Sequence, residues 1–257
     1  MIFMTIETIL TPAELPLLAR SDLHSTACVV FDILRATSTF VTALQNSAAT
    51  IIPVSEISEA VALRRQHPDV LLAGERDGVK IRAAQSGGID FDFGNSPREF
   101  TPEKIHGKTI VSTTTNGTRA LRACTGAQCV LAASFLNLTA TATFLQQKNF
   151  AKILLICAGT GEGAALEDVL AAGALVALLA ARKNARPILS DASQIARDTF
   201  QQQANLSAAI GSSQNGQRLL ANADLQADVA FCAQRDVFNL VAVMTADGVI
   251  RRIDSQK

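Results

Sequence analysis

Short apolar runs punctuate this chain, and each gives way to small, hydroxyl-bearing or charged residues before a longer segment of mixed pattern. The runs at 29–31, 50–54, 70–73, 109–111, 128–132 and 152–157 are too short for helices and rich in Val, Ile and Leu, which predicts buried strands. The segments between them predict helices. One follows the hydroxyls Thr37, Ser38 and Thr39 and runs to Gln45. Others span 59–66, 98–105, 137–147 and 166–182, and one reaches Ala123 from the loop after residue 111. An opening strand at 1–9 and a short helix from Thr11-Pro12 to Arg20 precede them. The tail predicts a polar helical stretch at 192–210, a turn at 211–216 and a short helix at 217–221. Strands follow at 229–233 and 240–244, the second pairing with 249–253 across Asp247-Gly248. Strands alternating with helices predict an α/β fold whose mostly parallel sheet carries helices on both faces.

Composition narrows the field. The 257 residues suffice for one large α/β domain or two small ones, and nearly half are apolar. Basic and acidic residues balance at 23 each, and Trp and Tyr are absent, which argues against a nucleic-acid or anionic-membrane partner. The five cysteines form no C-x-x-C pair and read as buried thiols of a reducing cytosol. The N-terminus lacks the pattern of a signal peptide, and the most apolar run falls short of a bilayer span. The expectation is a soluble, cytoplasmic protein. His24, His67 and His106 are scattered, and no phosphate loop, nucleophile elbow or H-E-x-x-H motif is present.

The candidate chemistry sits where strands end. Asp32 and Arg35 follow the first buried strand, then Thr37, Ser38 and Thr39. Open α/β sheets hold ligands at such junctions. A carboxylate there suits a divalent cation, and an arginine with hydroxyls suits an anion; an internal Asp–Arg pair locking the loop is the plainer alternative. Thr114, Thr115, Asn116, Gly117, Thr118 and Arg119 form a second such loop, able to cradle phosphate or merely to cap a helix. Glu75 and Arg76 repeat the acid–arginine theme. Asp92 and Asn95 lie in an irregular region at 85–97, where Asx-turns explain them equally well. Glu167 and Asp168 open a helix, where acids are favoured by its dipole, and the Gly-rich loop before them can also bring them to the same sheet edge as Asp32. The preceding glycines Gly159 and Gly161, with Ala164, match the spacing of a dinucleotide loop but lack the acid expected ~20 residues later.

Taken in order, FDILRATST, GER-D-G, FDFGNSP, TTTNGTRAL and CAGTGEG-x-x-LEDVLAAG resemble the 2-phosphosulfolactate phosphatases over most of the chain, roughly residues 29–244. The resemblance implies a three-layer α/β/α fold, a single domain over 1–257, and a magnesium-dependent phosphatase. Its substrate is a small phosphorylated acid, a sulfonated lactate carrying phosphate on its hydroxyl, used in coenzyme M synthesis. Mapped motif by motif, it implies Mg2+ on Asp32 and Glu75 with Asp168 a third candidate. It places Arg35, Arg76 and Arg119 on the phosphate and the substrate's other anionic group. Thr37, Ser38, Thr39, Asn95 and residues 114–118 complete the expected binding set, and the turn at 212–216 and the CAQRD stretch at 232–236 also look like family features. Two positions depart: Ile89 stands where the family has Phe, and Ala242 where a proline is usual. A non-catalytic anion-binding module, a nicotinamide enzyme using the Gly159 loop, and a homo-oligomer all remain open at this point. Whether Asp32 attacks or ligates is open too.

Overall fold

In the computed structural model, which describes residues 4–18, 20–181 and 187–254, the predicted strands other than 229–233 join in one sheet. Its strands are β1 (Thr5–Ile9), β2 (Thr26–Phe31), β3 (Thr50–Pro53), β4 (Leu71–Arg76), β5 (Val79–Lys80), β6 (Thr109–Thr113), β7 (Cys129–Ala133), β8 (Lys152–Cys157), β9 (Ile188–Leu189), β10 (Leu240–Met244) and β11 (Ile250–Asp254). Their order is β5-β4-β6-β3-β11-β10-β7-β2-β8-β1-β9. Pairing is parallel from β7 through β2, β8 and β1 to β9, and again among β3, β6 and β4. The antiparallel β10–β11 hairpin joins the two parallel blocks.

Burial explains why β2 reads as continuously apolar. Val29 and Phe31 enter one core, with the helices Leu138–Lys148 and Leu166–Ala180; Cys28 and Val30 enter the other, with Ala36–Gln45 and Gly117–Ala123. A third, smaller core lies under the helix Ile57–Gln66. The mostly parallel, three-layer α/β/α arrangement expected above is the one found. On one face, Asp191–Gln201 packs against Leu166–Ala180 so closely that a Cβ on Gly173 would stand 2.0 Å from the Ala196 carbonyl oxygen.

Sheet twist positions the site. Three antiparallel steps separate β3 from β7, so the two parallel blocks run in opposite directions. Neighbouring strands rotate by roughly 20–25°, so the steps from β2 across to β6 accumulate on the order of 100°. The blocks therefore cross steeply, and the carboxyl ends of β4 and β6 meet those of β2 and β8. The Asn116 side chain fastens the meeting point, donating to the Gly159 carbonyl at 2.9 Å.

Several expected elements differ. The expected strand at 229–233 is instead the end of a helix, Gln226–Cys232, with Ala233 just past it. The buried residues there are Asp228, Val229 and Cys232, a helical spacing that an apolar run conceals. The expected turn at 211–216 shrinks to Ser213, which ends Leu206–Ser212 and caps Gln214–Leu220 through the Gly216 amide. The stretch 192–210 divides into Asp191–Gln201 and Leu206–Ser212. Pro102 splits the expected 98–105 helix into a 3-10 turn, Pro97–Glu99, and the helix Pro102–Ile105. The short strands β5 and β9 and the helix Ala83–Ser86 carry too few residues to show a period. Of the expected element ends, residues 1–3, Ala19 and Arg182 lie outside the described residues. Among the described residues, no helix is long and apolar enough to cross a membrane.

Candidate active site

A cleft of about 390 Å³ opens where the strand ends meet. The loop after β2 supplies Asp32, Leu34 and Arg35, and the β4–β5 turn supplies Glu75, Asp77 and Gly78. Asn95, Thr115 and Asn116 come from the next wall, and the loop after β8 gives Gly159, Thr160 and Gly161. The helix Gln214–Leu220 completes it with Gln214, Asn215, Arg218 and Leu219.

Asp32 is held from both sides. Its Oδ1 accepts from the Ala36 amide at 3.0 Å, and the Gly117 amide also donates to its carboxylate. A Cβ on Gly117 would lie 2.6 Å from Oδ2, so only glycine lets that backbone approach. Burial, first, and the negative charges of Glu75 and Glu167 together push the Asp32 carboxyl up to about 7, against the lowering effect of the two amides.

Glu75 is fixed just as firmly. Its Oε1 accepts from the Thr115 amide and hydroxyl, both at 2.9 Å, and its Oε2 from the Gly78 amide at 2.7 Å. Glu167 is 1% exposed. Its Oε1 accepts from Asn215 Nδ2 at 2.7 Å, while its Oε2 is buried without a hydrogen-bond partner. Such an orphaned oxygen costs stability unless something occupies it.

Arg35 is 3% exposed yet lines the cleft. One terminal nitrogen donates to Asp228 Oδ2 at 2.7 Å and the other to the Gly78 carbonyl at 3.0 Å. Asp228 is fully buried, and its Oδ1 accepts from Ser96 Oγ at 2.7 Å. The pair thus binds the helix Gln226–Cys232, the irregular region and the loop after β2 into one assembly.

The structure divides the expected site residues into three groups. Asp32, Arg35, Glu75, Asn95, Thr115 and Asn116 line the cleft, with Gly117 against Asp32. Thr37, Ser38 and Thr39 fall inside the helix Ala36–Gln45, and their hydroxyls serve the main chain: Thr37 Oγ1 donates to the Asp32 carbonyl, Ser38 Oγ to that of Ile33 and Thr39 Oγ1 to that of Asn95. Thr114 and Thr118 bond each other. Asp168 belongs with these braces. Its two oxygens accept from the Ile33 amide at 2.8 Å and the Gly159 amide at 3.0 Å, tying two cleft loops together. Arg76 and Arg119 do not line the cleft. Arg76 donates to the Glu75 and Ser55 carbonyls and to Thr113; Arg119, 46% exposed, pairs with Glu162 at 2.9 Å.

Sequence reasoning passed over Asp228 and the face of Gln214–Leu220; it paired Glu167 with Asp168 but named only Asp168 as a metal candidate, whereas Glu167 lies behind the cleft with its charge near Asp32. Glu167 had a signal, since it adjoins Asp168. Asp228 had none, lying within an apolar run. Cys157, which ends β8, is buried; burial pushes its thiol up and Asp168 adds to that, which disfavours the thiolate.

No three acidic, histidine or cysteine side chains among the described residues converge closely enough to hold a metal ion alone. The charge crowding at Asp32 and the orphaned Glu167 Oε2 mark the place where a cation would relieve both.

A model of the 2-phosphosulpholactate phosphatase family matches residues 10–247. The chain belongs to that family. It is accordingly a phosphoric monoester hydrolase. A "Probable 2-phosphosulfolactate phosphatase" of Thermotoga petrophila is 41% identical over 224 residues, covering 87% of this chain and 91% of the relative. A protein of the same name from Symbiobacterium thermophilum is 36% identical over 233 residues, covering 89% and 95%. Another, from Caldicellulosiruptor saccharolyticus, is 46% identical over 160 residues, covering 61% and 63%.

Proposed function

We propose that this chain hydrolyses 2-phosphosulfolactate, the compound in its relatives' names, to 3-sulfolactate and inorganic phosphate, with Mg2+ as cofactor. One observation supports this most: Asp32, Glu75 and the buried, Asp228-anchored Arg35 meet in a single cleft built from several strand ends. Carboxylates alone would repel a phosphate ester. Carboxylates beside a fixed guanidinium fit a cation and a phosphoryl group together.

Asp32 and Glu167 would hold the cation, with Glu75 oriented beside them. Bound there, Mg2+ supplies neutralisation of the phosphoryl oxygens' charge. Arg35 has its guanidinium plane set by Asp228 and Gly78, which leaves its remaining N–H groups for the phosphoryl oxygens. Thr115 and Asn116 present polar groups on the same wall. Because Arg35 is already locked by Asp228 and Gly78, little reorganisation accompanies charge development in the transition state. A dinucleotide reading of the Gly159 loop fares worse, since Asp168 already occupies the Gly159 amide that a pyrophosphate would need.

The test is phosphate release from synthetic 2-phosphosulfolactate with Mg2+ and with EDTA. Release that needs Mg2+ supports the proposal. No release by the folded, Mg2+-supplied protein overturns it.

A further inference from the structure

Two guanidinium groups line the cleft, and they are held differently. Arg35 lies deep and is committed to Asp228 and Gly78. Arg218, on Gln214–Leu220, is exposed, and among the described residues no hydrogen-bond or ion-pair partner engages its side chain. By itself an exposed arginine is ordinary surface. Its mounting sets this one apart.

Gln214, Asn215, Arg218 and Leu219 all face the cleft, the spacing of one helix face. One turn before Arg218, Asn215 Nδ2 is pinned to Glu167 Oε1 at 2.7 Å and to Thr160 Oγ1 at 2.6 Å. Residues three apart on a helix are neighbours, with Cβ atoms about 5–6 Å apart. The charge of Arg218 is thus carried on a rigid support next to the acidic end of the site.

What Arg218 would meet depends on the phosphatase reading above. That substrate bears a phosphoryl group, a carboxylate on the same carbon and a sulfonate one carbon further out. The deep end of the cleft, with Asp32 and Glu75 on its lining and Glu167 behind, repels all three unless cations intervene. Mg2+ and Arg35 serve the phosphoryl group. The outer anion is left for the other guanidinium on the lining.

We propose that Arg218 is the specificity-determining residue of the site, pairing with the substrate's sulfonate. The expected positions of a second anion clamp, Arg76 and Arg119, are engaged elsewhere and do not line the cleft.

The experiment measures kcat/KM of the wild type, Arg218→Ala and Arg218→Lys on 2-phosphosulfolactate and on 2-phospholactate, which lacks only the sulfonate. Thermal melting confirms that the variants are folded, and Arg218→Gln replaces Arg218→Ala if that one is not. The expected result is a fall for Arg218→Ala at least tenfold larger on 2-phosphosulfolactate than on 2-phospholactate, carried mainly by KM. Arg218→Lys recovers part of it, because a point charge replaces the planar fork. Calorimetric binding of 3-sulfolactate should weaken in parallel. Equal falls on both substrates, or no fall, overturn the proposal and leave the phosphatase reading standing. A wild type that turns over neither ester removes the phosphatase reading and this proposal with it.

Discussion

Replacing Asp228 with Ala strips the counter-ion from a guanidinium that has almost no access to water. Asp228 is fully buried, Arg35 is 3% exposed, and their nitrogen and oxygen stand 2.7 Å apart. Breaking a buried pair by removing one partner costs about 3–5 kcal/mol, because the remaining charge is left uncompensated. The Gly78 carbonyl still accepts from Arg35, which favours the lower part of that range, while Ser96 loses its acceptor. Arg98, 3.6 Å from the other Asp228 oxygen, is itself cationic and offers no rescue. A loss of about 3–4 kcal/mol, at roughly 2–4 °C per kcal/mol for a chain of this size, lowers Tm by roughly 6–16 °C. Scanning calorimetry on metal-free protein reads this directly. The double variant Arg35→Met/Asp228→Leu should regain most of the lost stability, since apolar groups replace a desolvated pair, yet lack phosphatase activity. A Tm loss below about 2 °C in Asp228→Ala, which is under about 1 kcal/mol, would refute the reasoning. So would a double variant no more stable than the single one.

Further outcomes follow from the same geometry. The Asp32 carboxyl, pushed up to about 7, binds its proton more tightly in the folded protein than in the unfolded chain, where it titrates near 4. Its contribution to stability is therefore present in full below about pH 4 and is lost as the pH rises through about 7. In metal-free protein, the Tm of Asp32→Asn relative to wild type should climb across that window; a difference that stays flat from pH 4 to pH 8 contradicts the assignment. Gly117→Ala drives a methyl group into Asp32 Oδ2 and the Ala36 side chain, so kcat/KM should fall at least tenfold in steady-state assays while the far-UV circular dichroism stays native. Arg35→Ala should reduce kcat/KM at least ten times more than Arg119→Ala, whose side chain pairs with Glu162 outside the cleft.

Much of this arrangement was legible in the sequence, for identifiable reasons. Strands such as β2 and β8 are buried on both faces, so their apolar runs stand out against any background. Asp32, Glu75 and Thr115 were visible because polar residues directly after such runs must sit at strand ends. Local signal failed where tertiary structure decides. The hydroxyls of Thr37, Ser38 and Thr39 look like phosphate ligands in sequence, but the helix begins at Ala36 and turns them onto backbone carbonyls. Asp168 and Glu167 are adjacent and chemically alike. Only the fold aims Asp168 at two loop amides and leaves an oxygen of Glu167 without a partner. Asp228 sits in an apolar run that imitates a strand, and its partner Arg35 lies 193 positions away. The face that carries Arg218 belongs to a short helix whose asparagine and glycine, with the capping Ser213 before them, read as a turn.

If the carboxylates gathered around Asp32 carry out phosphate-ester hydrolysis, phosphate release from 2-phosphosulfolactate depends on the Asp32 carboxylate. Release is to be measured for Asp32→Asn beside the wild type, at equal Mg2+ and with matched melting curves. The wild type should release phosphate robustly, and the folded variant should lose at least a thousandfold. A folded Asp32→Asn that releases phosphate within tenfold of the wild-type rate would contradict that dependence.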